Sequence, residues 1–115
     1  MADTRTGSQR IVDERARQIA KEGWTPEHDD EHVEGELALV GALYATPVSL
    51  LTEEINDKYQ IRLVDPWPDS WDVEWDKRLE RRSARLTTRG RIRELEKAGA
   101  LIAAEIDRLL RKRGA

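Results

Sequence analysis

Both histidines of the chain lie in one acidic segment, residues 23–32, which reads Gly-Trp-Thr-Pro-Glu-His-Asp-Asp-Glu-His. If this segment is helical, its two histidines and a glutamate four residues further on project from one face. Two imidazoles one turn apart can share a divalent ion, and a carboxylate can complete the site. The pattern is compatible with a site for Mg²⁺, Mn²⁺ or Zn²⁺. Its ligands would be His28, His32, Glu36 and, from the last helix, Glu105 or its neighbour Asp107.

A simpler interpretation of this segment needs no metal. Acidic side chains in the first turn of a helix interact favourably with the helix dipole, and histidines at such a terminus can cap it or form local hydrogen bonds. The metal site also depends on whether residues 27–32 are helix or loop, which the sequence leaves open.

The tryptophans form a second group. Three of the four, Trp67, Trp71 and Trp75, are spaced by four residues, and Trp24 opens the acidic segment. Indole faces beside basic side chains suit a nucleobase and its phosphates. The alternative is that the rings fill the core, because the chain has no phenylalanine.

Together these groups predict a pocket for a phosphate-bearing small ligand, with a nucleotide as the favoured class. Trp24 and either Trp67 or Trp71 would stack on the base, and Lys97 would contact phosphate. The predicted ligand-binding residues are Trp24, Thr25, His28, Asp29, Asp30, His32, Trp67, Trp71 and Lys97.

The formal net charge of −3 conceals two charged blocks. Residues 22–36 contain seven acids and no Lys or Arg, whereas residues 77–93 contain eight bases and one acid. Two solvated blocks would make a dipole that steers an anion to one end. Alternatively, the blocks pair with each other. Because acidic residues outnumber basic ones, the net charge argues against nucleic acid as a partner.

Composition limits the remaining classes of function. The absence of cysteine excludes disulfides, thiolate metal sites and cysteine catalysis. No apolar run approaches the ~20 residues of a membrane span, and the polar start lacks the core of a signal peptide. We therefore expect a cytoplasmic protein, in a bacterial host cell if the resemblance below holds. It should form one domain over residues 1–115, disordered at 1–8.

Three main helices and one or two short ones are predicted to position these groups. The first follows an N-cap at Ser8 and ends at Gly23, the second runs from 26 or 30 to 45, and the third follows Thr46 and carries Leu51, Ile55 and Tyr59. A short helix carries two of the tryptophans one turn apart, and residues 61–64 read as extended.

The last helix, about residues 91–112, has the clearest pattern. Its apolar residues step 3, 4, 3, 4, 3 along one face, at Ile92, Leu95, Gly99, Ile102, Ile106 and Leu109. The expected fold is all-α, a small bundle of three main helices with one or two short ones and a long C-terminal helix. The seam also suggests a homodimer or higher homo-oligomer.

Most of the chain resembles small uncharacterised proteins of bacteriophages and prophages. The shared motifs are residues 23–32, Gly-Glu-Leu-Ala at 35–38, the Trp-rich turn at 66–75, and Lys-Ala-Gly-Ala-Leu-Ile-Ala-Ala-Glu-Ile-Asp-Arg-Leu at 97–109. This chain lacks the usual tandem tryptophans near Trp75, and residues 46–65 look like a variable insert. The resemblance implies a phage origin and no particular reaction.

A second resemblance is to all-α, MazG-like nucleoside triphosphate pyrophosphohydrolases, which hold magnesium with Glu-x-x-Glu and Glu-x-x-Asp on two helices. Glu31 and Glu34 match the first motif, and Glu54 and Asp57 match the second. The apolar run expected after the second motif is replaced by Lys-Tyr-Gln. This resemblance implies a metal-dependent hydrolase, so whether the protein is an enzyme stays open.

The favoured function is therefore a phage-type binder of a nucleotide, able to sequester a host defence signal. One alternative is the metal-dependent hydrolase. Another is a protein-interaction or inhibitor module without a small ligand, whose acidic block would contact a host or defence protein.

Overall fold

A computed structural model describes residues 2–46, 51–78 and 87–114. Within these residues the elements are, in chain order, α1 (Gly7–Glu22), α2 (Pro26–Asp29), α3 (Glu36–Ala45), β1 (Thr52–Ile55), β2 (Ile61–Val64), a 3-10 helix (Val73–Trp75) and α4 (Thr88–Gly114). Helices α1 and α3 pack on the long α4, and β1 and β2 form a two-stranded antiparallel sheet. The all-α prediction is therefore wrong, although the long C-terminal helix is confirmed.

The predicted third helix is replaced by the β-hairpin. Its register places Ile55 opposite Ile61, and the extended prediction for residues 61–64 is confirmed as β2. Asn56 closes the turn, because its side-chain oxygen accepts hydrogen bonds from the backbone N–H groups of Lys58 and Gln60. Tyr59 adopts a left-handed backbone with φ of 58°. The Asx turn, together with the β-branched pair Ile55 and Ile61 beside it, thus outweighs the helical spacing.

Helix α1 begins earlier than predicted and buries a different face. Thr6, not Ser8, is the N-cap, in a capping box with Gln9. The helix ends as predicted at Gly23, which has the left-handed φ of 72°. The residues of α1 that are buried are Glu14 and Gln18, whereas the apolar side chains of Val12 and Ile19 are exposed.

The predicted second helix is interrupted. Residues 26–29 form one helical turn, the chain then bends, and α3 starts only after Gly35, whose φ is 83°. Helix α3 buries Leu37, Val40 and Leu43. This agrees with the expectation that its apolar sequence forms the central helix.

Helix α4 supplies the other half of the core through small residues. Its buried face includes Ala98, Leu101 and Ala104. A Cβ atom placed on Gly41 of α3 would lie 3.3 Å from the Ala98 carbonyl oxygen, so glycine lets the two helices approach closely. The core cluster is formed by Trp24, Leu37, Val40, Tyr44, Trp71, Ala98, Leu101 and Ala104.

Two further observations complete the fold. The predicted short helix around the tryptophans is shorter than expected, because the 3-10 helix begins at Val73 and is capped by Asp72, which leaves Trp71 outside it. Among the described helices, none combines the length and apolar character needed to cross a membrane.

Candidate functional site

An aromatic cluster forms where the end of α1 meets the Trp-rich turn. Gly23 reverses the chain, and the Trp24 N–H donates to the Gln18 carbonyl. Thr25 then caps α2, its hydroxyl accepting a 3.3 Å hydrogen bond from the backbone N–H of His28. As a result the Trp24 and His28 rings stack, 5.5 Å apart and inclined by 19°.

The Trp-rich turn closes over this pair. The Trp71 and Trp75 rings lie 5.3 Å and 5.7 Å from the Trp24 ring, and His32 lies 4.9 Å from Trp71. Trp67 contacts Trp71 at 5.8 Å. The histidine segment and the tryptophan turn, predicted to share a site, are thus packed against each other.

The aromatic rings of this cluster cover one another's faces. Trp71 is only 3% exposed and Trp24 is 8% exposed. His28 covers a face of Trp24, and the guanidinium of Arg78 lies 5.2 Å from the centre of the Trp67 ring. A nucleobase therefore cannot stack on Trp71, or on the covered faces of Trp24 and Trp67, without displacing these neighbours.

The two aspartates of the segment contact arginines from opposite ends of the chain. Asp29 is fully buried, and its Oδ2 accepts a 2.5 Å hydrogen bond from Arg15 of α1. Asp30 is exposed and pairs at 2.7 Å with Arg111 of α4. Both side chains hold the segment in place, as α2 lies between these two helices.

The predicted metal ligands are brought together only in part. His32 Nδ1 lies 3.3 Å from Glu36 Oε2, and the His28 ring is 4.9 Å from the His32 ring. Glu105 instead accepts a 2.6 Å hydrogen bond from Arg108. Across residues 2–46, 51–78 and 87–114, no three His, Asp or Glu side chains are placed to share a metal ion.

Several ring nitrogens in the cluster have no partner. In the described part of the chain, His32 Nε2, Trp67 Nε1 and Trp71 Nε1 are buried without a hydrogen-bonding group. Buried polar atoms usually have a partner, commonly a water molecule. These atoms therefore mark positions where water or a polar group of a ligand would bind.

Lys97 lies in a narrow cleft on the other side of Trp24. The cleft has about 30 Å³ of free space. Its apolar lining consists of Trp24, Trp75, Tyr44 and Leu101, and its polar lining of Glu14, Arg17, Gln18, Glu22, Lys77 and Lys97. The Lys97 ammonium lies 5.7 Å from the centre of the Tyr44 ring. One lysine and one tryptophan of the predicted pocket thus meet here.

Of the charged side chains in the Lys97 cleft, Glu14 has ion-pair partners and Lys97 has none among the described residues. Burial raises the pKa of Glu14, but hydrogen bonds from Arg17 and Arg93, at 2.8 Å and 2.6 Å, outweigh burial and lower the pKa overall. Burial lowers the pKa of Lys97, and no described acidic side chain lies within ion-pair distance of its ammonium.

Tyr44 contributes a fixed polar group beside this lysine. Its hydroxyl oxygen accepts a 2.8 Å hydrogen bond from the backbone N–H of Lys77, which anchors the start of the basic block. Burial raises the pKa of Tyr44 to about 12, so the hydroxyl keeps its proton at neutral pH. It can therefore donate a hydrogen bond to an acceptor in the cleft.

The two charged blocks do not pair with each other within the described residues. Arg93 pairs with Glu14 and Glu96, Arg78 pairs with Asp65 and Asp76, and Arg91 donates to the carbonyls of Tyr44 and Ala45. The middle of the basic block, residues 79–86, lies outside the described residues, so the predicted dipole stays a prediction.

The sequence interpretation did not include eight residues that line the cleft: Glu14, Arg17, Gln18, Glu22, Tyr44, Trp75, Lys77 and Leu101. A signal existed for part of this set. Glu14 and Gln18 are one helical turn apart, with Arg17 three residues after the glutamate, which is typical of a polar helix face. Nothing in the sequence indicates that this face packs inward.

The MazG-like motifs are placed on different kinds of structure. Glu31 and Glu34 lie in the exposed bend before α3, whereas Glu54 lies on β1 and pairs with Arg62 across the hairpin. The second motif is therefore on a β-hairpin and not on the helix that such a magnesium site uses.

Comparison with protein-family models, curated proteins and solved structures finds no match for this chain. The resemblance to phage proteins stays a prediction, and function has to be argued from the site.

Proposed function

We propose that the protein binds a small phosphate-bearing ligand, with an anionic group in the Lys97 cleft. The observation that carries this proposal is the half-buried ammonium of Lys97, with which no described carboxylate forms an ion pair. A buried charge without a counter-ion is costly, and a bound anion removes that cost.

The neighbours of Lys97 support an anion rather than a cation as the ligand. Glu14 and Glu22 also line the cleft, but both are paired with Arg17, and Glu14 also pairs with Arg93. Lys77 and Lys97 are therefore available to attract an anionic ligand, and the Tyr44 hydroxyl can donate a hydrogen bond to that ligand.

The size of the cleft limits how a ligand can lie. Free space of about 30 Å³ holds about two water molecules, at roughly 10–15 Å³ for each. It admits part of a phosphoryl group and excludes a nucleobase. The remainder of a nucleotide would lie at the mouth beside Trp75, which is half-buried and not covered like Trp71. This binding geometry differs from the base stacking predicted on Trp24 and Trp67.

A test compares ligands with and without phosphate. Thermal stability and tryptophan fluorescence are measured with inorganic pyrophosphate, nucleoside mono- and triphosphates, cyclic dinucleotides and unphosphorylated nucleosides. We expect stabilisation and a fluorescence change with phosphate-bearing compounds alone. Because burial lowers the pKa of Lys97, affinity should fall as pH rises through that lowered value. Equal binding of nucleosides, or no response to any phosphate compound, would contradict the proposal.

The matched variants are Lys97→Met and Lys21→Met. Lys21 is an exposed lysine in the last turn of α1 and does not line the cleft. We expect Lys97→Met to weaken binding at least about tenfold, which corresponds to one charge-assisted hydrogen bond of about 1.5–3 kcal/mol, while Lys21→Met binds normally. Assaying phosphate release in the same samples, with and without Mg²⁺, Mn²⁺ or Zn²⁺, separates binding from hydrolysis.

A binder without turnover would lower the free concentration of its ligand. In a phage protein, this would sequester a nucleotide signal of the host. That role rests on the resemblance to phage proteins and is tested only after a ligand is found.

A further inference from the structure

The Lys97 cleft contains a buried hydrogen-bond acceptor as well as its donors. Gln18 of α1 lines the cleft and is only 4% exposed. Its side-chain oxygen Oε1 is buried and has no hydrogen-bonding partner among the described residues, and in this respect it is alone among the polar side-chain atoms of the described cleft lining. A buried polar atom without a partner is costly. This oxygen therefore marks a position where a hydrogen-bond donor would bind.

The orientation of the Gln18 amide follows from its neighbour Glu14. The amide nitrogen Nε2 of Gln18 donates a 3.3 Å hydrogen bond to Glu14 Oε2. An ionised carboxylate only accepts hydrogen bonds, so turning the amide over would bring two acceptors together. The nitrogen therefore faces Glu14, and the oxygen is left for a donor from elsewhere.

The carboxylate of Glu14 is already occupied as an acceptor. Arg17 donates to both of its oxygens, at 2.8 Å and 3.0 Å, and Arg93 donates to Oε1 at 2.6 Å. With the bond from Gln18, these interactions use about as many lone pairs as a carboxylate has. Glu22, the other acid of the cleft, pairs with Arg17 and has a side chain that is 39% exposed, so water can solvate it. Gln18 Oε1 is thus the buried acceptor that a ligand would use.

The donors of the cleft require the opposite kind of ligand atom. The Lys97 ammonium and the Tyr44 hydroxyl can both donate, so they suit the negatively charged oxygens of a phosphoryl group. Gln18 Oε1 would repel such an oxygen, because both atoms are acceptors. A phosphoryl group satisfies both requirements when one of its oxygens carries a proton. Free space for about two water molecules matches one accepting oxygen and one O–H group.

We propose that the Lys97 cleft selects terminal phosphate groups that carry an O–H, and that Gln18 determines this specificity by accepting a hydrogen bond from the O–H. The inference rests on the proposed binding of a phosphate-bearing ligand. Phosphate monoesters lose their last proton with a pKa of about 6, so the protonated form is accessible near neutral pH. Phosphodiesters and sulfate esters carry no O–H on the ionised group at that pH, and they would leave Gln18 unpaired. The expected ligands are therefore nucleotides with a terminal phosphate rather than cyclic dinucleotides.

The first experiment compares three ligands of similar shape by isothermal titration calorimetry with the full chain: phenyl phosphate, phenyl sulfate and methyl phenyl phosphate. At a pH of about 6, a large fraction of the phosphate monoester carries one negative charge, as the other two do, and it alone retains an O–H. We expect phenyl phosphate to bind at least about tenfold more tightly than the other two, because a site that pairs with an O–H rejects analogues lacking it.

The outcomes separate this inference from the proposed function. Equal affinities for the three ligands would overturn the role of Gln18 while phosphate binding itself would stand. No binding of any of the three would overturn both.

The second experiment repeats these titrations with Gln18→Met, which keeps the length of the side chain and removes the acceptor. We expect the preference for phenyl phosphate to disappear. A merely structural role of Gln18 would weaken all three ligands alike, so an unchanged preference would overturn the assignment. The matched control is Gln60→Met, since Gln60 is exposed beside the hairpin turn and does not line the cleft. This variant should keep the full preference, and its loss there as well would also count against Gln18.

Discussion

The aromatic cluster and the β-hairpin are both rich in large apolar side chains, yet they are held in opposite ways. Trp71 touches Trp67 and Trp75 of its own turn and Trp24 and His32 of the distant segment 23–32. In the hairpin, Ile55, Ile61 and Leu63 are each at least 60% exposed, and β1 and β2 pack mainly on each other. Large apolar residues thus stabilise the fold only where distant segments converge on them.

The largest expected effect is loss of the central ring. Replacing Trp71 by alanine should reduce the free energy of unfolding by about 3–5 kcal/mol, because the indole is almost fully buried. Urea denaturation measures the change. A loss below about 1 kcal/mol would show that the cluster is not part of the stabilising core.

Two adjacent aspartates sharpen the same contrast between buried and exposed sites. Asp29→Ala leaves Arg15 without its buried partner and should cost about 3 kcal/mol, as expected for breaking a buried pair. Asp30→Ala removes an exposed pair with Arg111 and should cost less than about 1 kcal/mol. Thermal unfolding of both variants provides the comparison, and equal losses would refute it.

The contribution of Glu14 to the free energy of unfolding should depend on pH, with an effect of intermediate size. Its pKa is lower in the folded protein than its ordinary value of 4.5, so the unfolded chain binds more protons below that pH. The stabilisation is complete above pH 4.5 and is lost as pH falls through the folded pKa. Glu14→Gln should cost about 1–2 kcal/mol at pH 7 and flatten the stability profile below pH 4.5. An unchanged acid profile would argue against this assignment.

The smallest effect is expected in the hairpin. Leu63→Ser should change the free energy of unfolding by no more than about 0.5 kcal/mol, because the side chain is 64% exposed. Urea denaturation alongside Trp71→Ala tests the comparison directly. A loss as large as that of the tryptophan variant would mean that the hairpin packs against the protein in solution.

Local signals predicted some of the fold accurately. The stop at Gly23, the proline start of α2, the extended segment 61–64 and the long C-terminal helix all depend on short-range backbone chemistry, and all four are present. The prediction of a third helix was wrong because the spacing of Leu51, Ile55 and Tyr59 is also compatible with a hairpin. The Asn56 turn, a local signal of another kind, decided between them.

The candidate site divides in the same way. The sequence by itself determined which chemistry is available: two histidines, four tryptophans, a 37% content of charged residues and no thiol. Only the tertiary structure decided that the rings cover one another, that Asp29 is held by an arginine, and that no described carboxylate forms an ion pair with Lys97.

The same holds for the face that each helix buries. Helix α1 turns Glu14 inward because Arg93, 79 residues later, lies on α4 to neutralise it. Helix α4 turns alanines inward because α3 approaches at Gly41. Periodicity reveals that a helix has two faces. Which face is buried depends on partners that are distant in sequence, and these meet only in the folded chain.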